Sequence, residues 1–372
     1  MEISKKIALF TCHEDPNYGS MLQAYALAEA IKSLGKTPEY ITYHSYPRQT
    51  WFLRMAKMFI KRLGLWRRSH EFSFFETPSF APTMAAFKKF HDKYIPCSEE
   101  EFYSNTIQNI TNDDIYENYI VGSDQSWSPY LYDVKKPYFL DFSDLSKRNA
   151  YAPSLGTTTI TDEYKQLLKQ KLVMFDHLSC REKINSDMLS SLIGKEVVNV
   201  LDPTLLLMPK EWDKLCTHSL VKKEYILAYI LGEKDSIVNF AENLGKEKHL
   251  PVYYIATRPC HLNHTNTLTG IGPDDFVGLI KNASYVVTDS YHGCLFSINY
   301  NVQFYAFSKH EGNIDDHDNA RILEFLSFLH IEQRFQGDTQ PAILKDVEYE
   351  VANSIINTMR KKSFAYLKRC IE

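Results

Sequence analysis

Two side chains that follow predicted strands are the strongest candidates for chemistry in this sequence. His292 stands between the apolar run Tyr285–Val287 and a helical pattern, where an imidazole can donate or accept a proton near neutral pH. Arg181 follows another short strand, and its planar guanidinium is suited to a carboxylate or a phosphate. A structural histidine and a surface ion pair are the alternatives for these two residues.

The neighbours of His292 favour a bound anion. Gly293 lets the backbone approach a ligand, and the helix that follows presents free N–H groups. Asp289 and Ser290 are candidates for orienting the imidazole. Cationic residues on other loops of the second half could face the same ligand, in a cleft at the carboxyl ends of the strands. The complete predicted set is Arg181, Ser290, Tyr291, His292, Gly293, Arg258, Lys309 and Arg321.

Two loops in the first half of the chain are suited to a sugar. Asn17–Ser20 precedes the helix that carries Gln23, and Ser123–Trp127 combines a carboxylate, an amide and an indole. An Asx-type turn with Trp127 as a core side chain is the alternative for the second loop. The predicted sugar-binding residues are Asn17, Tyr18, Gly19, Gln23, Ser123, Asp124, Gln125 and Trp127.

Other loops carry less chemistry. The loop before the first helix lacks the GxGxxG and GxxxxGK(S/T) patterns, so the phosphate cradles of dinucleotide binders and P-loop proteins are not supported. The run Asp202–Thr204 is interpreted as a domain-edge turn with mainly a structural role.

Alternating strand and helix signals predict an α/β fold with two doubly wound parallel sheets. We expect a first domain over residues 1–205, a second over 206–345, and a helix over 346–372 that could pack back on the first domain. The predicted strands are Ile7–Thr11, Tyr40–Tyr43, Asn118–Val121, Asn149–Ala152, His177–Ser179, Val197–Leu201, Tyr225–Leu231, Val252–Ala256, Tyr285–Thr288 and Val302–Phe307.

Composition excludes several classes of protein. The chain of 372 residues is 44% apolar and carries a net charge of −4, which argues against a general nucleic-acid binder. Its seven cysteines lack the spacing of a zinc site, so we expect reduced thiols, no disulfide and no structural metal. No secretory signal or membrane-spanning run is visible, and we expect a cytoplasmic location.

The segment 51–68 has the pattern of a basic amphipathic helix. Its polar positions are all basic, and Trp51 and Trp66 lie among its apolar residues. Such a segment could lie at the cytoplasmic face of a membrane. A surface helix whose apolar face packs on the domain is the alternative.

Five motifs together resemble the polysaccharide pyruvyl transferase family, in their order and spacing over nearly the whole chain. Each motif is weak alone, but the five in sequence are specific for the family. They are Asn17–Leu27, Val121–Trp127, Ser179–Glu182, Asp202–Thr204 and Thr288–Gly293.

The resemblance implies a fold similar to GT-B glycosyltransferases, with two Rossmann-like domains facing a cleft, phosphoenolpyruvate as donor and no obligatory metal or cofactor. It places the acceptor sugar on the first domain and the donor on the second. In the family, an arginine at the position of Arg181 and an Arg-x-His element hold and protonate the donor, and His292 matches that histidine. Here the element begins with Ser290, so Arg258, Lys309 or Arg321 is expected to replace the missing arginine.

The predicted function is therefore formation of a pyruvate ketal on a sugar of a polysaccharide or of a lipid-linked precursor. A nucleotide-sugar glycosyltransferase of the same architecture is one alternative, because a fold does not determine donor chemistry. A non-catalytic carbohydrate-binding protein is the other. The sequence identifies neither the sugar nor the oligomeric state.

Overall fold

A parallel sheet forms the core of the first half of the chain. The computed structural model describes residues 5–44, 77–111, 115–130, 137–216, 219–309, 317–336 and 341–372. The strands of the first half are β1 Lys6–Phe10, β2 Thr37–His44, β3 Cys97–Tyr103, β4 Tyr116–Val121, β5 Arg148–Ala150, β6 Ser179–Cys180 and β7 Val198–Asn199. Five of them pair in the order β3-β2-β1-β4-β5, and the parallel pair β6-β7 continues the sheet through a bridge between Asn149 and His177.

A second parallel sheet forms the core of the other half. Its strands are β8 Ile226–Tyr229, β9 Val252–Ile255, β10 Thr267–Leu268, β11 Tyr285–Thr288, β12 Gln303–Phe307 and β13 Phe335–Gln336. They pair in the order β10-β9-β8-β11-β12-β13, which is the strand order of a Rossmann fold. Ligands of such sheets bind beyond the carboxyl ends of the central strands, where the order reverses.

Ten α-helices lie among the described residues. The helix α1 begins after Asn17, whose side chain caps it by accepting a hydrogen bond from the Ser20 N–H. The helix bounds are α1 Tyr18–Ser33, α2 Ala81–Tyr94, α3 Asp162–Leu172, α4 Lys183–Ile193, α5 Pro209–Trp212, α6 Asp235–Lys248, α7 Pro273–Asn282, α8 Tyr291–Asn299, α9 His317–Phe328 and α10 Glu350–Ile371.

The long helix α10 contacts both halves of the molecule. Just before it, the Tyr349 hydroxyl donates to the carbonyl oxygen of Val302, beside the second sheet. Near its other end, the Tyr366 hydroxyl donates to the carbonyl oxygen of Ala150, the last residue of β5. The helix therefore crosses from the second sheet to the first.

The structure confirms the prediction of a doubly wound α/β fold. The sequence pattern does not predict the strand β3, because its sequence CSEEEFY is largely polar and the strand lies at an edge of the sheet, where four of its seven residues are not buried. The basic segment 51–68 lies outside the described residues. Among the residues that the structure describes, no helix is both long and apolar enough to span a membrane.

Candidate active site

His292 lies in the first turn of α8, directly after the central strand β11. Ser290 caps this helix, since its Oγ accepts a hydrogen bond from the Gly293 N–H at 3.3 Å. The imidazole is 11% exposed. The side chain is therefore held by its surroundings but remains close to solvent, at the sheet edge where the sequence predicts a ligand.

Asp202 is the acidic side chain that faces His292. Its Oδ2 atom lies 3.5 Å from Nε2 of His292 and 2.7 Å from Nη1 of Arg181. Its Oδ1 atom accepts hydrogen bonds from the N–H and the hydroxyl of Thr204, at 2.9 and 2.7 Å. The sequence predicts mainly a structural role for this turn, but Asp202 also contacts both of the side chains that are predicted to be catalytic.

Arg181 lies at the centre of a buried ion-pair network. Its guanidinium, which is 1% exposed, contacts Asp202, reaches Glu182 at 3.2 Å and lies 3.7 Å from Asp124. This position differs from the predicted one at an open sheet edge, because three carboxylates surround the side chain. Of its three nitrogens, only Nη2 has no hydrogen-bond partner among the described residues, and this atom is buried.

The neighbouring charges keep Arg181 and Asp202 ionised. Burial alone would lower the pKa of Arg181, but the carboxylates of Glu182 and Asp202 raise it well above its usual value. Burial alone would raise the pKa of Asp202, but His292 and Arg181 hold it well below its usual range. Asp202 therefore remains a carboxylate, and its negative charge faces the imidazole of His292.

The start of α1 packs against the other face of His292. A Cβ atom added to Gly19 would lie 2.0 Å from Nδ1 of His292. Only glycine therefore allows α1, from the first half of the chain, to approach this ring so closely. The first turns of α1 and α8 meet at the imidazole, and helix N-termini favour negative charge.

Asp124 connects the first sheet to the network around Arg181. Its Oδ2 atom accepts a hydrogen bond from the Ser20 hydroxyl at 2.8 Å. Its backbone has a φ of 64°, and it lies two residues after Gly122, whose φ is 108°. A Cβ atom at position 122 would lie 2.2 Å from the carbonyl oxygen of Tyr151, so this turn requires glycine to direct the Asp124 carboxylate toward Arg181.

Tyr291 lies between two guanidinium groups. Arg181 is 4.6 Å and Arg321 is 5.7 Å from the centre of its ring. When the amide of Gln125 is oriented with its oxygen toward Arg321, that oxygen accepts from Nη1 and Nη2 at 2.9 Å each. Arg321 is therefore the predicted cation that the structure brings to the same cluster as Arg181.

Four predicted site residues contribute buried polar atoms that have no hydrogen-bond partner in the described structure. They are Oε1 of Gln23, Oγ of Ser123, Nη2 of Arg181 and Nε2 of His292, whose separation from Asp202 is longer than a good hydrogen bond. Buried polar groups in native proteins are almost always paired. The atoms of Arg181 and His292 both belong to the network around Asp202, which is consistent with a ligand that supplies their missing partners there.

Several predicted sugar-binding side chains instead stabilise the core. Tyr18 is buried between the two sheets, where its hydroxyl donates to the carbonyl oxygen of Ile271 at 3.0 Å. Trp127 is fully buried, and its indole N–H donates to the carbonyl oxygen of Tyr138. Sugar stacking on either ring is therefore excluded in this conformation, and Trp127 is the core side chain of the alternative interpretation.

Two further predicted sugar contacts have structural hydrogen bonds. The Gln23 amide is fully buried and donates to the carbonyl oxygen of Ser20 at 2.9 Å. Asn17 uses its side-chain oxygen to cap α1. Polar residues in loops before helices resemble ligand contacts in a sequence, although capping and core pairing use the same residue types.

Asp289 does not orient His292. Its two carboxylate oxygens accept from the N–H groups of Leu231 and Gly232, at 2.7 Å each. Arg258 donates from Nε to the carbonyl oxygen of Leu231, and the charge of Lys309 acts on Asp289. These residues form a separate cluster at the carboxyl ends of β8, β9, β11 and β12.

The two Rossmann-like sheets and the site between them define a protein of the GT-B type. UDP-GlcNAc 2-epimerase from Methanocaldococcus jannaschii aligns over 95% of this chain and 92% of its own, with 11% identity and a TM-score of 0.52. ADP-heptose LPS heptosyltransferase II from E. coli aligns over 98% of each chain, with 10% identity and a TM-score of 0.40. No curated protein is significantly similar in sequence. At such low identity the structural likeness shows the fold alone.

The family follows from the sequence pattern of this chain. The family model described as polysaccharide pyruvyl transferase matches residues 17–311. The chain therefore belongs to the polysaccharide pyruvyl transferase family. The matched region contains Gly19, Asp124, Arg181, Asp202 and His292, whereas Arg321 lies beyond it.

Proposed function

We propose that this protein transfers pyruvate from phosphoenolpyruvate to a sugar, as a cyclic ketal, with release of phosphate. Membership of the pyruvyl transferase family supports the class of reaction. The observation that carries the proposal is the buried contact of His292 and Arg181 with one carboxylate, Asp202. This contact joins the two halves of the chain at the place where both helix N-termini meet.

In the proposed reaction, His292 is the acid. The Asp202 carboxylate stabilises the imidazolium, and the imidazole delivers its proton to the methylene carbon of phosphoenolpyruvate. The carbon–carbon double bond is lost, the methylene becomes a methyl group, and positive charge develops at C2. A sugar hydroxyl then bonds to C2 and passes its proton to the imidazole, which restores the acid.

The ketal forms when phosphate leaves. The bond between C2 and the phosphate oxygen breaks, and a second hydroxyl of the same sugar bonds to C2 and closes the ring. Its proton leaves with phosphate. The overall reaction converts phosphoenolpyruvate and a sugar diol into a pyruvate ketal and inorganic phosphate, and it requires no oxidant and no obligatory metal or cofactor.

Charge considerations favour Arg321 as the cation that replaces the missing arginine of the family motif. Three carboxylates surround Arg181, so even with a protonated His292 this network carries a net negative charge, which would repel a trianionic donor. Arg321 adds a guanidinium beside Tyr291 in the same cluster. We propose that Arg321 and Nη2 of Arg181 bind the donor, with the N–H groups at the start of α8.

The acceptor and its location complete the proposal. We place the sugar on the side of the first sheet, close to Asp124 and Gln125. All seven cysteines are free thiols, which suits the cytoplasm, where phosphoenolpyruvate is made. A lipid-linked sugar would bring the protein to the cytoplasmic membrane face, with the basic segment 51–68 as the candidate contact.

Phosphate release tests the reaction directly. We expect release from phosphoenolpyruvate only in the presence of a suitable acceptor, within a panel of galactose- and mannose-containing glycans, and a new ketal methyl signal in the NMR spectrum. His292→Ala should abolish both signals. His177→Ala is the matched control, because this half-exposed imidazole lies outside the network, and it should leave both signals unchanged.

Arg321→Gln separates donor binding from chemistry. We expect it to raise KM for phosphoenolpyruvate more than Arg258→Gln, since Arg258 belongs to the separate cluster around Leu231. Phosphate release that His292→Ala leaves intact would remove His292 from the mechanism. Acceptor-dependent turnover of a nucleotide sugar, with no reaction of phosphoenolpyruvate, would favour the glycosyltransferase alternative.

A further inference from the structure

A cluster of two histidines and one cysteine lies apart from the network around Arg181. His13 follows β1, His91 lies in the last turn of α2, and Cys97 begins β3. One ligand atom from each residue lies within 4.8 Å of the other two. The sequence predicts no such cluster, because these residues lack the short spacing of a zinc motif and are brought together by the sheet.

The distances resemble those of a tetrahedral zinc site. Nδ1 of His13 is 3.1 Å from Nε2 of His91, which is 3.7 Å from Sγ of Cys97. Zinc bonds of about 2.1 Å to nitrogen and about 2.3 Å to sulfur place two nitrogen ligands about 3.4 Å apart, and nitrogen and sulfur about 3.6 Å apart. Since the ligand atoms of Cys97 and His13 lie within 4.8 Å of each other, Cys97 would need to move toward His13 by about 1.2 Å at most to complete the set.

The surroundings also suit a metal. His13 is 4% exposed, so the site is shielded but reached through the partly exposed His91 and Cys97. Asp92 lies 3.9 Å from Nδ1 of His91, on the side of the ring away from the cluster, so a shift of about 1 Å would let its carboxylate accept the hydrogen bond that orients a metal-bound imidazole.

We propose that His13, His91 and Cys97 bind one Zn²⁺ ion, with water as the fourth ligand. Binding replaces the proton of the Cys97 thiol, which is released to solvent, and oxidises no group. The ion would connect the loop after β1 to α2 and β3. Because this loop leads into α1, the site would stabilise the segment that carries Gly19 to His292, outside the proposed reaction.

Cobalt spectroscopy of the full-length, untagged protein tests this proposal. We expect apoprotein titrated with Co²⁺ to develop the visible bands of a tetrahedral ion and a thiolate-to-cobalt charge-transfer band, saturating at one ion per chain. One equivalent of Zn²⁺ should remove both, and Zn²⁺ should raise the melting temperature.

Two cysteine variants separate the site from adventitious binding. Cys97→Ser should lose the charge-transfer band and bind Zn²⁺ at least 10-fold more weakly. Cys216→Ser is the matched control, because both thiols are free and partly buried, and Cys216 lies outside the cluster. It should retain the band and the affinity.

A histidine variant provides a test that does not depend on the thiol. His91→Gln should weaken Zn²⁺ binding as Cys97→Ser does, while a circular dichroism spectrum like that of the wild type shows that the chain is folded. A wild-type protein without the charge-transfer band, or a band that Cys97→Ser retains, would overturn the proposal. Equal loss in Cys216→Ser would overturn it too.

Discussion

Replacing Gly19 with alanine tests the contact between α1 and His292 with a single methyl group. The new Cβ atom would lie 2.0 Å from Nδ1, 2.5 Å from Cγ and 2.6 Å from Cε1 of the imidazole. Non-bonded carbon atoms prefer separations of about 3.5 Å or more. The ring or the helix must therefore move by about 1 Å, away from the position that Asp202 stabilises.

The structure gives both a stability effect and an activity effect. Alanine within a helix is normally more favourable than glycine by about 0.5–1 kcal/mol, whereas overpacking in a well-packed region costs about 1–3 kcal/mol. We expect Gly19→Ala to lower the free energy of unfolding by about 1 kcal/mol. A reacting group displaced by about 1 Å loses about 100-fold in rate, so kcat for ketal formation should fall by a similar factor.

A double-mutant cycle isolates the contact. In a His292→Ala protein the ring is absent, so Gly19→Ala should no longer destabilise the chain. The change in melting temperature that it causes should then be zero or positive instead of negative. The same loss of stability in both backgrounds would refute the reasoning, because the alanine would then clash with something other than the imidazole. Wild-type kcat in Gly19→Ala would refute the catalytic part alone.

Three further predictions concern other buried groups. Asp202→Asn should lower the free energy of unfolding, measured in urea, by about 3–5 kcal/mol. Asp187→Asn, which removes one partner of an exposed ion pair, should change it by less than about 1 kcal/mol. Equal effects of the two substitutions would contradict the buried network. Burial lowers the pKa of His261 from 6.5 to about 4; the stability contributed by its neutral ring is complete above pH 6.5 and lost as pH falls toward 4, so His261→Asn should flatten the decline in melting temperature over that range. Tyr18→Phe removes the hydroxyl that donates to Ile271 and should cost about 1 kcal/mol without changing KM for the acceptor; a raised KM at unchanged stability would restore the predicted sugar contact.

The fold can be predicted from the sequence because its central strands are short and apolar and are separated by polar loops. The segments Ile226–Tyr229 and Tyr285–Thr288 are buried over nearly their whole length, as parallel strands covered on both faces must be. Strands at the sheet edges are harder to predict. Thr267–Leu268 has only two residues, both half-buried, and so lacks a hydrophobic period.

Only part of the candidate site can be predicted from the sequence. Its loops can be found because each follows a strand, but the partner of a side chain there depends on contacts between distant segments. Asp289 directly follows β11, which ends at Thr288, and its nearness in sequence makes it a candidate partner of His292. In the structure it binds the loop after β8 instead.

For other residues, no local signal in the sequence indicates the contacts that they make. Asp202 stands in a turn whose sequence is explained by capping, and its contact with His292 spans the two halves of the chain. The cluster of His13, His91 and Cys97 likewise depends on strand pairing that brings distant segments together. Sequence patterns report local geometry, whereas these contacts depend on how the sheets and helices pack.

The path of α10 has a consequence for how the protein is made. The Leu201 N–H donates to the hydroxyl of Ser363, and Tyr366 reaches Ala150 at the edge of the first sheet. Domains usually fold as units while the ribosome is still extending the chain, beginning with the N-terminal one. Here the first sheet is synthesised early, but the side of it that α10 covers stays exposed until the second sheet and α10 have been synthesised. The first domain is therefore completed only after the second has been synthesised.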